Sequence, residues 1–248
     1  MMRTTVLFAL LSTASLSVHA GQVLVDADKH RQGMIHYDTG REHFTHERWT
    51  RAEEAFRTAV KLDPLIAAAY YDLGRTYMQM KRYGDAVQAF VACRETSQKI
   101  FGLELNATVT ARQQLEENEK GLTATLAQST RPNPRKVAIA REQLSQVQGK
   151  KREIDAFGDV LGTSYVVPPD ISFALGSAYF RSGSIADAER EYRAAIAVRP
   201  EFGQAHSNLA VLLMTTNRRP EAIEHVKLAE AAGFQVNPEL KKELGIAR

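Results

Sequence analysis

The sequence predicts an all-α chain of stacked helix pairs, interrupted once by a long helical hairpin. Three features of its 248 residues carry that prediction. A spaced set of Leu, Gly, Tyr, Ala, aromatic residue and Pro returns every 34 residues or a multiple of it. Where the set vanishes, over 101–168, strong helix formers take its place. The one apolar run that resembles a targeting segment stands at the start, over Val6–Val18.

Composition narrows the function classes before any motif is read. Hydrophobic residues make up 44% and charged residues 25%, an ordinary globular balance rather than a disordered or collagenous one. Thirty-two Lys and Arg face 29 Asp and Glu, so no polybasic field argues for nucleic acid or anionic membrane as the main partner. A single cysteine excludes an intrachain disulfide framework and any multi-cysteine metal site.

Residues 1–20 have the layout of a secretory signal peptide. Arg3 supplies the positive start, Val6–Val18 the apolar stretch, and Val18-His19-Ala20 the small residues that precede cleavage before Gly21. The stretch is well short of the ~20 residues that span a bilayer. No cysteine follows the cleavage site to take a lipid. The mature product is expected outside the cytoplasm, in a bacterial periplasm, with no stable membrane insertion.

The repeats come next. Leu73-Gly74 with Tyr77, and Leu175-Gly176 with Tyr179, open two matching blocks. Each continues at the same offset with Ala86, Phe90 and Cys93, or Ala188, Tyr192 and Ala195, and Pro200 closes the second. One period before the first block stand Gly40, His43, Ala52, Phe56, Ala59 and Pro64; one period after the second stand Leu209-Ala210, Leu213, Ala222, Val226 and Ala229. Small residues are expected where two antiparallel helices approach most closely, with the large rings filling the space between pairs. The prolines follow helix ends that they cannot continue. One helix pair cannot bury its own apolar face, so neighbours must stack. Four repeats are read: 33–66, 67–100, 169–202 and 203–236. Asn237-Pro238 then restarts a short capping helix within 237–248, Asn as the cap and Pro at the first helical position.

This spacing resembles the tetratricopeptide repeat (TPR) family, over a little more than half the chain. The resemblance implies a superhelical α-solenoid that binds other proteins along a concave face lined by the first helix of each repeat. On this sequence that face would carry Tyr37, Arg41, Phe44, Tyr71, Arg75, Met78, Phe173, Ser177, Phe180, Ser207, Val211 and Met214. Aromatic residues, Arg and Met are the types that dominate binding energy at interfaces. One branch of the family clamps C-terminal carboxylates with Lys and Asn; Tyr37, Tyr71, Phe173 and Arg stand on the corresponding surface here, so that clamp is not expected.

The interval 101–168 is read as an antiparallel helical hairpin and return loop. Helices are expected over 104–128 and 135–157, separated by a turn at Ser129–Pro134. In the second, Val137, Ala140, Leu144, Val147, Lys151 and Ile154 alternate spacings of three and four, a coiled-coil seam with one polar member. The first offers Leu105, Val109, Leu115, Leu122 and Leu126. At 1.5 Å per residue the hairpin would extend on the order of 30–40 Å. The alternative is two decayed repeats, which would set Thr108, Ala111, Lys120, Glu142 and Gly158 at the small and aromatic positions, a poor match. Val160–Pro169 is expected as a loop or short strand.

Four other residue groups have the types that could carry chemistry or binding. His36, His43, His46 and Glu47 crowd the first repeat, but their spacing matches no recognised metal motif. Cys93 stands where a small interior residue is expected, an inert thiol rather than a nucleophile. Arg131, Arg135 and Lys136 at the hairpin tip, and Lys150-Lys151-Arg152, read as solvated faces. Asn106-Ala107-Thr108 is a formal glycosylation acceptor. No phosphate loop, zinc-protease helix or nucleophile elbow is present.

The sequence therefore predicts a non-enzymatic scaffold or adaptor of the cell envelope, without cofactor or metal, holding a segment of another protein. Two alternatives stand beside it: self-assembly into a homo-oligomer through 103–157, and a metal-binding or enzymatic module at His36, His43 and His46.

Overall fold

Period and punctuation set the helices. The computed structural model describes residues 26–127, 133–162 and 164–246, and every regular element among them is helical. The leader expected over 1–20 lies outside these residues, as do Arg131 and most of the turn around it. The elements are α1 (Ala27–Thr45), α2 (Trp49–Leu62), α3 (Ala67–Gln79), α4 (Tyr83–Ala127), α5 (Pro134–Leu161), α6 (Pro169–Ser182), α7 (Ile185–Val198), α8 (Gly203–Thr215), α9 (Arg219–Ala231) and α10 (Pro238–Glu243). Described residues up to Gln98 and from Val166 onward form one compact unit; Lys99–Tyr165 form a second.

In the first unit each pair folds back at a residue in the left-handed conformation: Glu47 (φ 57°), Lys81 (φ 59°), Gly183 (φ 88°) and Asn217 (φ 60°). These four positions are one or more whole periods apart. At each, the following amide donates to a carbonyl five residues back: Arg48 to His43, Arg82 to Tyr77, Ser184 to Tyr179 and Arg218 to Leu213, at 2.8–2.9 Å. This is a helix-ending motif that satisfies carbonyls the first helix leaves bare.

The small residues do receive the close approach, though from a ring rather than from the partner backbone. A Cβ added to Gly40 would lie 2.5 Å from Phe56, one on Gly74 2.6 Å from Phe90, and one on Gly176 2.7 Å from Tyr192. The fourth pair holds Ala210 and Val226 at these two positions, both fully buried. Where the side chain on the second helix shrinks, the first helix regains its methyl group.

One apolar cluster runs from Tyr37 through Phe56, Leu73, Tyr77 and Phe90 to Ile171, Ala174, Leu175 and Ala178. The third pair thus stacks on the second although seventy residues of sequence intervene. A second cluster holds Tyr192, Leu209, Leu213 and Val226, and reaches Val236, Leu240 and Leu244 around α10. Asn237 Oδ1 accepts from the Glu239 amide at 2.8 Å to begin α10.

An ion pair recurs between neighbouring pairs. Glu53 on α2 accepts from Arg82 at 2.9 and 3.0 Å and from the Tyr77 hydroxyl at 3.2 Å. Four periods on, Glu189 on α7 accepts from Arg218 at 2.7 and 2.8 Å.

The second unit contains the later part of α4 and all of α5. A repeat end at 100 and a new helix start at 104 are not observed: α4 is a single helix of 45 residues. The proline that follows the other helix ends at 64 and 200 is missing at 98, and the single Gly102 is carried within the helix. The helix expected to end at 157 continues to Leu161, so Val160 is helical and the described part of 162–168 contains no strand. The turns that decayed repeats would need near 115 and 149 fall in mid-helix. On α5 the six seam residues are all shielded, Ala140 most of all. On α4, Leu105, Leu115, Leu122 and Leu126 are half-buried, but Val109 is exposed. Thr108 turns inward beside it, 3.6 Å from where a Gly158 Cβ would be. Lys151, the polar seam member, donates to Glu119 at 3.1 Å, and Arg112 meets Asp155 at 2.9 Å.

Candidate functional site

Helices α1, α3, α6 and α8, the first of each pair, touch in succession and make one wall of the repeat unit. The residues expected to line a binding face all lie on this wall, and they divide into two groups.

Some belong to the core. Tyr37 is buried, and its hydroxyl donates to Asp72 Oδ2 at 3.1 Å. Burial, and then the Asp72 carboxylate, push this phenol up to about 12. Its expected place on the binding face is therefore corrected: the ring supports the wall from behind. Ser207 is buried as well and offers nothing to a partner. Half-buried Phe173 packs on Tyr192 and Phe202 at 6.0 and 5.1 Å between ring centroids. Tyr71 packs on Phe90 at 5.5 Å. Ser177 accepts from the Tyr192 hydroxyl at 3.3 Å.

Others remain accessible. Arg41 and Arg75 are exposed, and Phe44, Met78, Phe180, Val211 and Met214 are half-buried. Arg41 lies 5.8 Å from the Tyr37 ring centre, and Arg75 lies 4.5 Å from that of Phe44. Arg75 also pairs with Asp72 Oδ1 at 2.9 Å, the same carboxylate that holds Tyr37. Phe44 rests edge-on against Trp49 at 5.1 Å. Asp72, which no sequence motif singles out, thus fixes an aromatic–guanidinium lattice across α1 and α3. Its signal was its register: it stands next to Leu73, on the wall side of a helix otherwise short of acids.

The histidine cluster does not assemble. His46 Nδ1 lies 2.8 Å from the Glu42 carbonyl, and His46 and Glu47 are exposed. His36 and His43 are half-buried, with His43 Nδ1 buried and unpaired. Among the described residues no three His, Cys, Asp or Glu converge as a metal site would need. Three other histidines, unremarked in the sequence, are engaged instead: His30 with Asp63 at 2.5 Å, and His206 with His225 at 2.9 Å. Cys93 is buried, and that burial pushes its thiol up to about 11, away from the thiolate a nucleophile requires. A cavity of about 640 Å³ opens on the opposite side of α3, between α2 and α4, lined by Arg57, Lys61, Tyr70 and Arg82 among others. No helix among the described residues is long and apolar enough to cross a membrane.

With this geometry in view, comparisons with known proteins are informative about family. The tetratricopeptide repeat family model matches residues 37–99 and 173–235, just over half of the chain. No curated protein matches. Among solved structures, that of PilW, a type IV pilus biogenesis factor, shares 16% identity, covering 87% of this chain and 87% of its own, with a TM-score of 0.38. TTC0263, a TPR protein of Thermus thermophilus, shares 18% identity over 86% of this chain and 97% of its own, at 0.36. The Pseudomonas aeruginosa pilF structure shares 13% over 88% and 87%, also at 0.36. At such scores nothing known of those proteins passes to this chain.

Proposed function

The chain belongs to the tetratricopeptide repeat family, and we propose that it is a non-catalytic adaptor of the cell envelope that holds a segment of another protein along the α1–α3–α6–α8 wall. The observation that carries this reading is the lattice at the N-terminal end of the wall. Arg75 is fixed at once by Asp72 and by the Phe44 ring, and Tyr37 holds Asp72 from beneath. Side chains fixed before a partner arrives lose little further entropy when it binds, and Arg and aromatic residues desolvate large areas at little cost. Met78, Phe180, Val211 and Met214 extend an apolar edge along the later helices. The envelope part of the proposal rests on the leader pattern of residues 1–20.

The test is crosslinked affinity capture from the native envelope fraction with residues 21–248 as bait, followed by mass spectrometry. Arg41→Glu is the clean perturbation, because Arg41 is exposed and its loss strands no buried group. Arg75→Glu would set a second carboxylate beside buried Asp72 and cost stability, so Arg75→Gln is the better partner variant. A stoichiometric protein retained by wild type should fall at least tenfold in the double variant with the unfolding midpoint little changed. Undiminished capture by both variants together refutes the assignment of this wall.

A further inference from the structure

His206 on α8 and His225 on α9 face each other through their Nδ1 atoms at 2.9 Å, with ring centres 5.1 Å apart. His206 is buried, and its Nε2 lies 2.8 Å from the Pro200 carbonyl in the turn that precedes α8. A carbonyl oxygen can only accept, so Nε2 of His206 carries hydrogen. In the neutral ring its Nδ1 is then bare and accepts from the Nδ1–H of His225. The contact therefore holds one proton between two nitrogens, and it ties α8, α9 and the α7–α8 turn to one another.

Adding protons to this arrangement gives two different results. The first goes to Nε2 of His225, on the half-buried edge, and the Nδ1–H···Nδ1 bond survives. The second would place hydrogen on both Nδ1 atoms with no acceptor between them, and the rings must part. We propose that His206 and His225 form a proton-gated latch on the last helix pair, closed while they share one proton between their Nδ1 atoms and opened when each carries its own. The latch stands independently of any partner bound along the wall.

The charged surroundings favour refusal of protons over acceptance. Arg193 on α7 opposes charge on His225, while Glu221 and Glu224 on α9 favour it. Glu221, however, is already engaged by Arg193 at 3.1 Å and Arg218 at 2.7 Å. Burial, reinforced by His206, holds His225 below the ordinary histidine range of about 6.5. In the unfolded chain both rings take their protons near that value. Folded protein thus binds fewer protons than unfolded protein below pH about 6.5, and stability that is complete above that value is lost as pH falls. Each proton refused lowers the folded-to-unfolded ratio about tenfold per pH unit.

His225→Asn separates the latch from the chain's other histidines, which are common to both proteins. The Asn amide, carried on Cγ as Nδ1 is, can donate its N–H to His206 Nδ1, and the amide turned over can accept from a protonated His206. Urea unfolding of the full chain, in EDTA, would be followed from pH 7.5 to 4.5. Wild type should lose about tenfold more of its folded-to-unfolded ratio per pH unit than His225→Asn between pH 6 and 5; parallel curves overturn the latch. Assigned imidazole C–H signals of the wild-type protein give a second reading that needs no variant. The two rings should take up protons in coupled steps, and fully independent titration of the two overturns the proposal equally.

Discussion

Gly74 and Phe90 allow the packing rule between paired helices to be tested against a solution the protein already contains. A methyl group on Gly74 would meet three atoms of the Phe90 ring at 2.6–2.8 Å, and that ring is 1% exposed, with no room to withdraw. Overpacking of this kind costs about 1–3 kcal/mol. Three contacts this short on an immobile ring belong at the upper end, about 3. Against it stands the gain of about 1 kcal/mol from replacing Gly by Ala inside a helix. Gly74→Ala should therefore destabilise by about 2 kcal/mol. Phe90→Val removes most of a buried ring and should cost about 2 kcal/mol, less than the 3–5 of a full truncation to Ala.

The double variant recreates the Ala210 and Val226 of the fourth pair. With the ring gone the clash is gone, so the Ala contributes only its propensity, and the total cost should be about 1 kcal/mol. Independent effects would total about 4, which makes the expected coupling about 3 kcal/mol. Urea unfolding of the four proteins, with slopes compared, measures it. Gly84→Ala serves as control, because nothing lies within 4 Å of its added Cβ, and it must not destabilise. Additivity within about 0.5 kcal/mol would refute the argument that ring and glycine are one packing choice.

Two further outcomes follow from the turns and the recurring ion pair. Lys81→Gly, at an exposed left-handed position, should raise stability by about 0.5–1 kcal/mol, since a non-glycine residue there carries a steric cost of about 1–2 that glycine's greater unfolded freedom only partly cancels; a lower urea midpoint would contradict it. Glu53→Ala leaves the Tyr77 hydroxyl and Arg82 without their shared acceptor, and should cost about 2 kcal/mol, below the usual range for a broken buried pair because Arg82 is half-exposed and keeps Asp85 at 2.6 Å. The same denaturation series checks that value, and a change under 0.5 kcal/mol would mean the pair is only a surface contact.

How much of this was legible depended on whether a residue's type or only its neighbour decided its role. Leu, Gly and aromatic spacing exposed the helix pairs because each class has one place where its size fits. The reversal points were legible at Gly183 and Asn217, residues that accept positive φ. Glu47 and Lys81 give no such sign, and their conformation is imposed by the helices on either side. The expected helix boundary near 100 came from the period alone, whereas the absence of a proline at 98, one period from Pro64, already pointed to the continuous α4. In the hairpin, the inward face of α4 at 108–109 could not be read from hydrophobicity, since Thr108 turns in and Val109 out. On the wall, Arg41, Phe44 and Arg75 were identifiable as exposed or half-exposed types. Tyr37 was misplaced because its burial comes from packing on Phe56 and its hydroxyl's partner, Asp72, is 35 residues away, contacts that no local pattern shows.

The place of the insertion has its own physical logic. Glu53 with Arg82, and Glu189 with Arg218, join the first helix pair to the second and the third to the fourth by one and the same contact. At the junction between the second and third, the corresponding positions are Val87 and Ser184, and the contact cannot form. Arg94 reaches Glu191 at 3.0 Å there instead, above the apolar contact of the Leu73 and Phe90 layer with Ile171 and Leu175. Both family-model matches likewise begin and end on either side of this junction. Within the one compact unit the repeated ion pair thus groups the four helix pairs two by two. A break in sequence between the two groups severs no repeated ion pair, and the apolar layer that joins them needs only that α6 return to the α3 surface.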